Sequence, residues 1–249
     1  MISIKSKKEI ETIKEGGKIL AEVMQKLEKM VKPGVTTKEL DKVAEGLVLR
    51  SGAKCSFKGY KGYPACLCTS INEGVVHALP SESQLKDGDI ISLDLGILYK
   101  KFHTDMALTL AVGKVSPESV RLIRVTKKAL KRGIKKTRPG NTLGDIGNTI
   151  QRAIESQGFK VIQGLCGHGI GRELHEDPQI LNFGKRHKGE EIKEGMVFCL
   201  EPMVAIGDYN IKKSADGYGL ETADGSLSAH FEHTIAVTKT GCQILTSLE

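Results

Sequence analysis

The chain is predicted to be an α+β protein whose two related halves form a curved, largely antiparallel sheet with helices on its outer face. Three observations predict this. A turn followed by an apolar run ending in an acid occurs twice, as Leu85-Lys86-Asp87-Gly88-Asp89-Ile90-Ile91-Ser92-Leu93-Asp94 and as Ile192-Lys193-Glu194-Gly195-Met196-Val197-Phe198-Cys199-Leu200-Glu201. Helix stops and caps recur at fixed spacing: Pro33 and Pro139, Thr36 and Thr142, and Gly52 and Gly158 are each 106 residues apart, and Asp94 and Glu201 are 107 apart. Helix signals precede strand signals in each half, which favours a sheet covered on one face, the other being left for a ligand. The halves, roughly 1–113 and 114–249, are read as one domain because no Pro/Ser/Gly-rich linker separates them.

The elements follow in order. Ser6 with Glu9 forms a capping box, and Ile10, Ile13, Ile19, Leu20, Val23 and Leu27 continue at helical spacing until Lys32-Pro33-Gly34 stops the helix. Thr36 with Glu39 caps a second helix carrying Leu40, Val43, Leu47 and Val48, which ends near Gly52. Ser116-Pro117 starts a third, with Pro at its first position, and Arg138-Pro139-Gly140 stops it. Thr142 with Asp145 opens a fourth, ending near Gly158. Strands are expected at 89–98, 105–112, 196–206 and 231–238, where Val, Ile, Leu and Thr dominate. Asp216-Gly217 and Asp224-Gly225 mark turns between the last strands.

Composition narrows the function classes. The 249 residues carry a net charge of +7, spread along the chain. No basic block interleaves with aromatics, which argues against sequence-specific nucleic-acid recognition, while the charge allows a weak preference for a polyanion such as ribosomal RNA. No apolar run approaches membrane-spanning length, and Met1-Ile2-Ser3-Ile4-Lys5 lacks the apolar core of a signal peptide. The six cysteines suggest no disulfide framework, and Cys199 reads as a small buried hydrophobe. A reducing cytoplasm fits best.

The acids ending the repeats carry the chemistry. An ionised carboxylate inside an apolar strand is costly unless it is paired or binds a metal. Asp94 and Asp105 fit a hairpin with its tip near Tyr99-Lys100-Lys101, and Glu201 and Glu232 end and begin two further strands. Matching Ala111-Val112 to Ala236-Val237 sets Asp105 two positions out of step with Glu232, and two residues along a strand keep one face. All four acids can therefore face one cleft, where two divalent ions would balance their charge. Cys166-Gly167-His168-Gly169-Ile170-Gly171 offers a nitrogen ligand whose glycines permit close backbone approach. His77 and His175 share a His-x-x-Pro pattern, one in each half, and are expected to flank the cleft. His103, His187 and His230 read as ordinary packing or surface residues, and His233 should face away from Glu232.

Together, Asn72-Glu73-Gly74-Val75-Val76-His77, the Asp94/Asp105 hairpin, Cys-Gly-His-Gly-Ile-Gly-Arg-Glu-Leu-His-Glu-Asp-Pro at 166–178, Leu200-Glu201-Pro202-Met203 and Glu232-His233-Thr234 resemble a type I methionine aminopeptidase. The resemblance covers essentially the whole chain and implies the pita-bread fold, in the short bacterial form. It implies two divalent ions (Co, Mn, Fe or Zn): Asp94 chelating one, Asp105 and Glu232 bridging both, His168 and Glu201 completing the other. A bridging water or hydroxide would attack, Glu201 would shuttle its proton, and His77 and His175 would hold the scissile peptide. Tyr60, Tyr63, Cys68 and Tyr218 match positions lining the methionine pocket. Phe57 stands where many relatives carry Cys, Leu174 where Phe is common, and Tyr218 where Trp is common. A monovalent-cation site would map to Asn72, Gly74 and Ser228.

The implied activity is removal of initiator methionine from nascent polypeptides with a small second residue, by a monomer able to work at the ribosome surface. One rival is a proline-directed peptidase of the same fold, which usually carries an extra N-terminal domain. Another is a non-enzymatic RNA- or ribosome-binding relative, which has typically lost metal ligands.

Overall fold

Local chemistry at the helix ends sets the first layer. The structure, a computed structural model, describes residues 2–248. Helix α1 (Lys7–Met30) begins after Ser6, whose hydroxyl accepts from the Glu9 N–H while the Glu9 carboxylate accepts from the Ser6 N–H. The same reciprocal box, contributing about 1 kcal/mol, opens α2 (Thr37–Arg50) through Thr36 and Glu39. In the second half, α3 (Pro117–Lys136) starts at Ser116 with Pro first, and α4 (Leu143–Glu155) starts at a Thr142–Asp145 box.

The first-half strands are β1 (Lys54–Cys55), β2 (Leu67–Ile71), β3 (Gly74–Val76), β4 (Ile90–Tyr99) and β5 (Phe102–Ala111). Strand β4 pairs antiparallel with β1 and β2 along one edge and with β5 along the other. Lys100 and Lys101, at φ 46° and 71°, form the two-residue tip that joins β4 to β5. Two left-handed residues match the twist of the flanking strands. Along β4 the faces alternate. Leu93, Leu95 and Ile97 pack with Leu20, Val23, Leu27, Leu40 and Val48 of the helices, all at most 3% exposed. Burying each such side chain contributes about 1.5–3 kcal/mol. Ser92, Asp94 and Gly96 are left for the opposite face.

The second half holds β6 (Lys160–Val161), β7 (Gly167–Gly169), β8 (Glu176–Ile180), β9 (Val197–Leu200), β10 (Met203–Ala205), β11 (Ile211–Lys213), β12 (Leu220–Thr222), β13 (Ser228–His230), β14 (His233–Val237) and β15 (Cys242–Ile244). They form antiparallel sheets ordered β15-β14-β9-β7-β8 and β13-β10-β6, while β12 pairs with both β11 and first-half β3. Phe198 and Leu200 pack with Leu130, Ile146 and Ile150 of α3 and α4, and Cys199 turns to the other side, buried as expected. The single strand expected at 196–206 is two strands, because Pro202 has no N–H to continue the ladder beyond Glu201.

The free edge of β5 meets β13 and β14. The Thr234 hydroxyl accepts from the Asp105 N–H (2.9 Å) and donates to the Asp105 carbonyl (2.8 Å). The Thr109 hydroxyl does the same for His230, at 2.8 Å in both directions. Between these clamps the Glu232 N–H donates to the Ala107 carbonyl at 2.8 Å. This seam brings the acid-bearing strands of the two halves together.

One sequence expectation is corrected. Cys55 and Cys66 form a disulfide, with Cα atoms 5.2 Å apart. The two residues become neighbours because β1 and β2 line up along the same edge of β4, with Cys55 opposite Ile97 and Leu67 opposite Leu95. Cys68, Cys166, Cys199 and Cys242 are free thiols. Among the described residues, no helix is long and apolar enough to cross a membrane.

Candidate metal centre and substrate cleft

The strand register builds the site. Asp94 pairs with Ala107 and Asp105 with Gly96, so the two acids lie diagonally, two positions apart, on one face of the hairpin. In the second half Leu200 pairs with His233, and Glu201 and Glu232 come one step beyond that pair. Exposure is 7% for Asp94, 4% for Asp105, 8% for Glu201 and 2% for Glu232. Among the described residues, three overlapping sets of donor atoms, each within 4.8 Å of one another, share Glu232: Asp94 with Asp105, Glu201 with His230, and His168 with Cys199.

His168 Nε2 lies 3.6 Å from Glu201 Oε1. Its Nδ1 lies 2.9 Å from the Gly169 carbonyl. Donation of Nδ1–H to that oxygen fixes the tautomer with the Nε2 lone pair towards Glu201, the form a metal ligand needs. Burial, with repulsion from Asp105 and Glu201 added, lifts the Asp94 carboxyl well above the usual range. Burial also lifts Glu201 and Glu232, each repelled by Asp105. Asp105 rises to about 7 through burial, opposed by the Met106 N–H, which donates to its Oδ1 at 2.9 Å. Asp94 Oδ1 and Glu232 Oε1 are buried with no protein hydrogen-bond partner among the described residues. An orphaned buried carboxylate oxygen is expensive. Carboxylate oxygens with imidazole nitrogen are suitable ligands for divalent first-row ions, so the residues present fit such a pair of cations.

The flanking histidines are both exposed. His175 Nδ1 lies 2.9 Å from the Tyr60 hydroxyl, and its ring centroid lies 4.3 Å from that of His168. Burial, aided by His168, pushes its pKa down to about 3, so it is neutral at pH 7. His77 directly follows β3 with a left-handed backbone, φ 61°, and desolvation lowers its pKa as well. A charge on His77 would be felt by His168, His175 and His230 alike.

The pocket residues gather beside the acids. Cys68 pairs with Asp94 across β2 and β4 and so shares its face. Tyr63 packs with Cys68, Ala65, Phe57 and Leu79, and its ring meets that of Tyr218 edge-on at 5.7 Å. The Tyr218 hydroxyl donates to the Gly62 carbonyl at 3.2 Å. Phe57 and Tyr60 also pack in the cluster that holds Leu174, which joins the two walls. Gly96 makes room: a Cβ there would stand 2.7 Å from the Phe57 ring. Elsewhere, the Asn72 carbonyl accepts from the Ser228 N–H at 2.8 Å, the Ser228 hydroxyl is buried without a protein partner among the described residues, and Gly74 pairs with Glu221.

The remaining histidines divide. His103 bonds Ser56 at 2.8 Å, His187 lies 3.7 Å from Asp145, and His233 turns away to Thr246 at 2.9 Å. His230, expected to be an ordinary packing residue, is instead in the site. Its Nε2 lies 3.6 Å from Glu201 Oε2 and 4.0 Å from Glu232 Oε2. The signal available in sequence was the alignment of Ala111-Val112 with Ala236-Val237, which sets His230 level with Asp105.

Residues 11–239 match the sequence profile of Metallopeptidase family M24. The methionine aminopeptidase of Clostridium perfringens (strain 13 / Type A) is 46% identical over 249 residues, with all of each chain covered. The crystal structure of methionine aminopeptidase from Thermotoga maritima aligns with a TM-score of 0.98 at 43% identity, covering 99% of this chain and 100% of that one. That from Rickettsia prowazekii aligns at 0.97 and 40% identity, with the same coverage. The likeness extends over both halves, and the fold is the pita-bread fold.

Proposed function

Because the chain belongs to metallopeptidase family M24, we propose that this cleft removes the N-terminal methionine from nascent polypeptides by metal-dependent hydrolysis. The observation that carries the reading is the convergence of four buried carboxylates, two of them with oxygens that have no protein partner among the described residues, beside a cluster of aromatic rings and a thiol. Asp94, Asp105, His168, Glu201 and Glu232 would hold two divalent cations. Bound there, the cations would supply Lewis acidity and make a water acidic enough to lose a proton near neutral pH.

The chain's own residues supply the rest. Glu201, at the edge of the carboxylate cluster, takes the proton of the attacking water and returns it to the leaving amine. Neutral His175, steadied by the Tyr60 hydroxyl, is placed to donate from Nε2 to the oxygen that gains charge at the scissile carbonyl. His77 reaches the same peptide from the opposite half. The substrate's free α-amine lies beside Asp94, which restricts cutting to the first residue. The methionine thioether lies among Phe57, Tyr60, Tyr63, Cys68, Leu174 and Tyr218, where sulfur–aromatic contact favours it. Burial keeps Cys68 a neutral thiol, so the slot presents no charge. Asn72, Gly74 and Ser228 are the proposed seat of a monovalent cation.

The reading extends to a cytoplasmic monomer of one domain, and the +7 charge supports its meeting its substrate at the ribosome surface. Absence of enrichment with ribosomes sedimented at low salt would count against that last step. The activity itself is tested with metal-loaded protein on a Met-Ala-Ser peptide and an Xaa-Pro peptide. Faster cleavage of the first is expected. Faster cleavage of the second would reassign the chain to a proline-directed peptidase, and RNA binding without cleavage would make it a non-enzyme.

A further inference from the structure

His230 has no place in the ligand set just given, yet its surroundings match those of a ligand. The imidazole is 1% exposed, and neither ring nitrogen has a protein hydrogen-bond partner among the described residues. A buried, unpartnered imidazole is uncommon and needs an account. Its Nε2 sits 3.6 Å from Glu201 Oε2, as His168 Nε2 sits 3.6 Å from Glu201 Oε1. The carboxylate thus lies between two imidazoles at equal range. Both separations, with the 4.0 Å to Glu232, are too long for hydrogen bonds. They are compatible with donor atoms on either side of a shared cation, since first-row ions take nitrogen and oxygen at about 2.0–2.2 Å.

The relation between the halves points the same way. Aligning Ala111-Val112 with Ala236-Val237 aligns Thr109 with Thr234 and Asp105 with His230. The structure repeats that alignment in its hydrogen bonds. Thr234 clamps the peptide N–H and carbonyl of Asp105, and Thr109 clamps those of His230. The Thr109 hydroxyl also bonds Ser92, and His230 pairs with Met203 on its other side, so its backbone is fixed from both directions. His230 therefore occupies, in the second half, the place of an acid we assign as a ligand in the first.

We propose that His230 is a second imidazole ligand of the centre, holding a divalent cation together with Glu201 and Glu232. The proposal rests on the reading of the cleft as a dinuclear site. It also bears on which ion is held. A second nitrogen donor in an otherwise oxygen-rich set shifts preference from manganese towards iron, cobalt or zinc.

The test uses the full chain loaded anaerobically with Co(II), as wild type, His230→Gln, His168→Ala and the double variant, each first checked for fold by circular dichroism and Tm. X-ray absorption fine structure counts imidazole ligands. Imidazole scattering should fall to about half in either single variant and vanish only in the double. Competitive titration should show one Co(II)-binding step weakened about tenfold or more in His230→Gln, with a smaller loss for Mn(II). Scattering unchanged in His230→Gln and absent from His168→Ala would overturn the proposal and leave the dinuclear reading standing. A wild type that binds no Co(II) would sink both. Should His230→Gln not fold, His168→Ala still decides: an imidazole that persists there supports the second ligand, and its loss refutes it.

Discussion

In the first half, β4 and β5 pair over ten consecutive positions, and both acids sit inside the ladder, Asp94 opposite Ala107 and Asp105 opposite Gly96. In the second half, β9 and β14 pair over four positions, and Glu201 and Glu232 lie just past the ladder's end. Strand pairing on both sides fixes Asp94, while Asp105 is fixed by pairing with β4 on one side and by the Thr234 hydroxyl on the other. The second pair depends on bonds from elsewhere: the Ala107 carbonyl takes the Glu232 N–H, and the Asn182 amide donates to the Glu201 carbonyl at 3.0 Å. The first half works as a rigid template. The second, interrupted at Pro202, is fitted against it and brings His168, His175 and His230 to the site. Pseudo-symmetry thus supplies matching acids, while the departure from it supplies the nitrogen chemistry.

The comparison breaks hardest at an acid inside the ladder. Asp105→Ala should lower kcat/KM on a Met-Ala-Ser peptide by about 10³ or more, since metal stabilisation contributes several kcal/mol and each 1.36 kcal/mol is tenfold. Metal content measured on the same sample should fall with it. A variant retaining near wild-type activity would mean the template half is dispensable. Next comes the imidazole side. His175→Ala should cost about 10²–10³ in kcat, as expected for a lost donor to developing charge. Tyr60→Phe, which only releases that ring, should cost less. Equal effects of the two would show the phenol acting on substrate directly.

A pH titration sharpens the contrast between occupied and empty acids. Burial raises Asp105 to about 7 and lifts Asp94, Glu201 and Glu232 well above their ordinary values. In the metal-free protein these four acids therefore hold more protons in the folded state than in the unfolded chain between about pH 4 and 7, while His175, His230 and His233, which burial pushes down, hold fewer. The acids' contribution is fully present below their unfolded values and is lost as pH rises through the folded ones. The Tm of chelator-treated wild type, measured against that of Asp105→Asn to isolate the acid, should fall as pH rises across that window, and added divalent cation should flatten the slope. A difference that rises with pH without metal would contradict the clustering of these acids. The smallest effect tests the seam from each side. Thr234→Val and Thr109→Val each strand a buried N–H and carbonyl, so each should destabilise by about 1–3 kcal/mol in urea unfolding. Loss confined to Thr234→Val would show that only the Asp105 clamp matters.

What could be read from sequence was what residues settle with near neighbours. Ser6 with Glu9, Thr36 with Glu39 and Thr142 with Asp145 cap their helices within four residues, so their starts were legible. The hairpin tip at Lys100-Lys101 was legible from the spacing of Asp94 and Asp105. The common cleft of all four acids was legible because strand faces alternate with period two. The Cys55–Cys66 bond was not, since the two meet only through a third strand, β4. His230 was misread because its environment comes from Glu201 and Thr109, far off in the chain, and no local pattern separates it from a packing histidine. The break at Pro202 was within reach of sequence, as the lack of an N–H is local.

The join between β5 and the last strands carries one more consequence. Asp105 and Glu232 are fastened by the bonds that hold the two lobes together, Thr234 to Asp105 and Glu232 to Ala107. Prising the lobes apart would pull those acids from each other, and cations lodged between them would act as rivets. Mechanical stiffness and ion supply are then one property: a cell short of metal would hold a looser enzyme as well as an idle one.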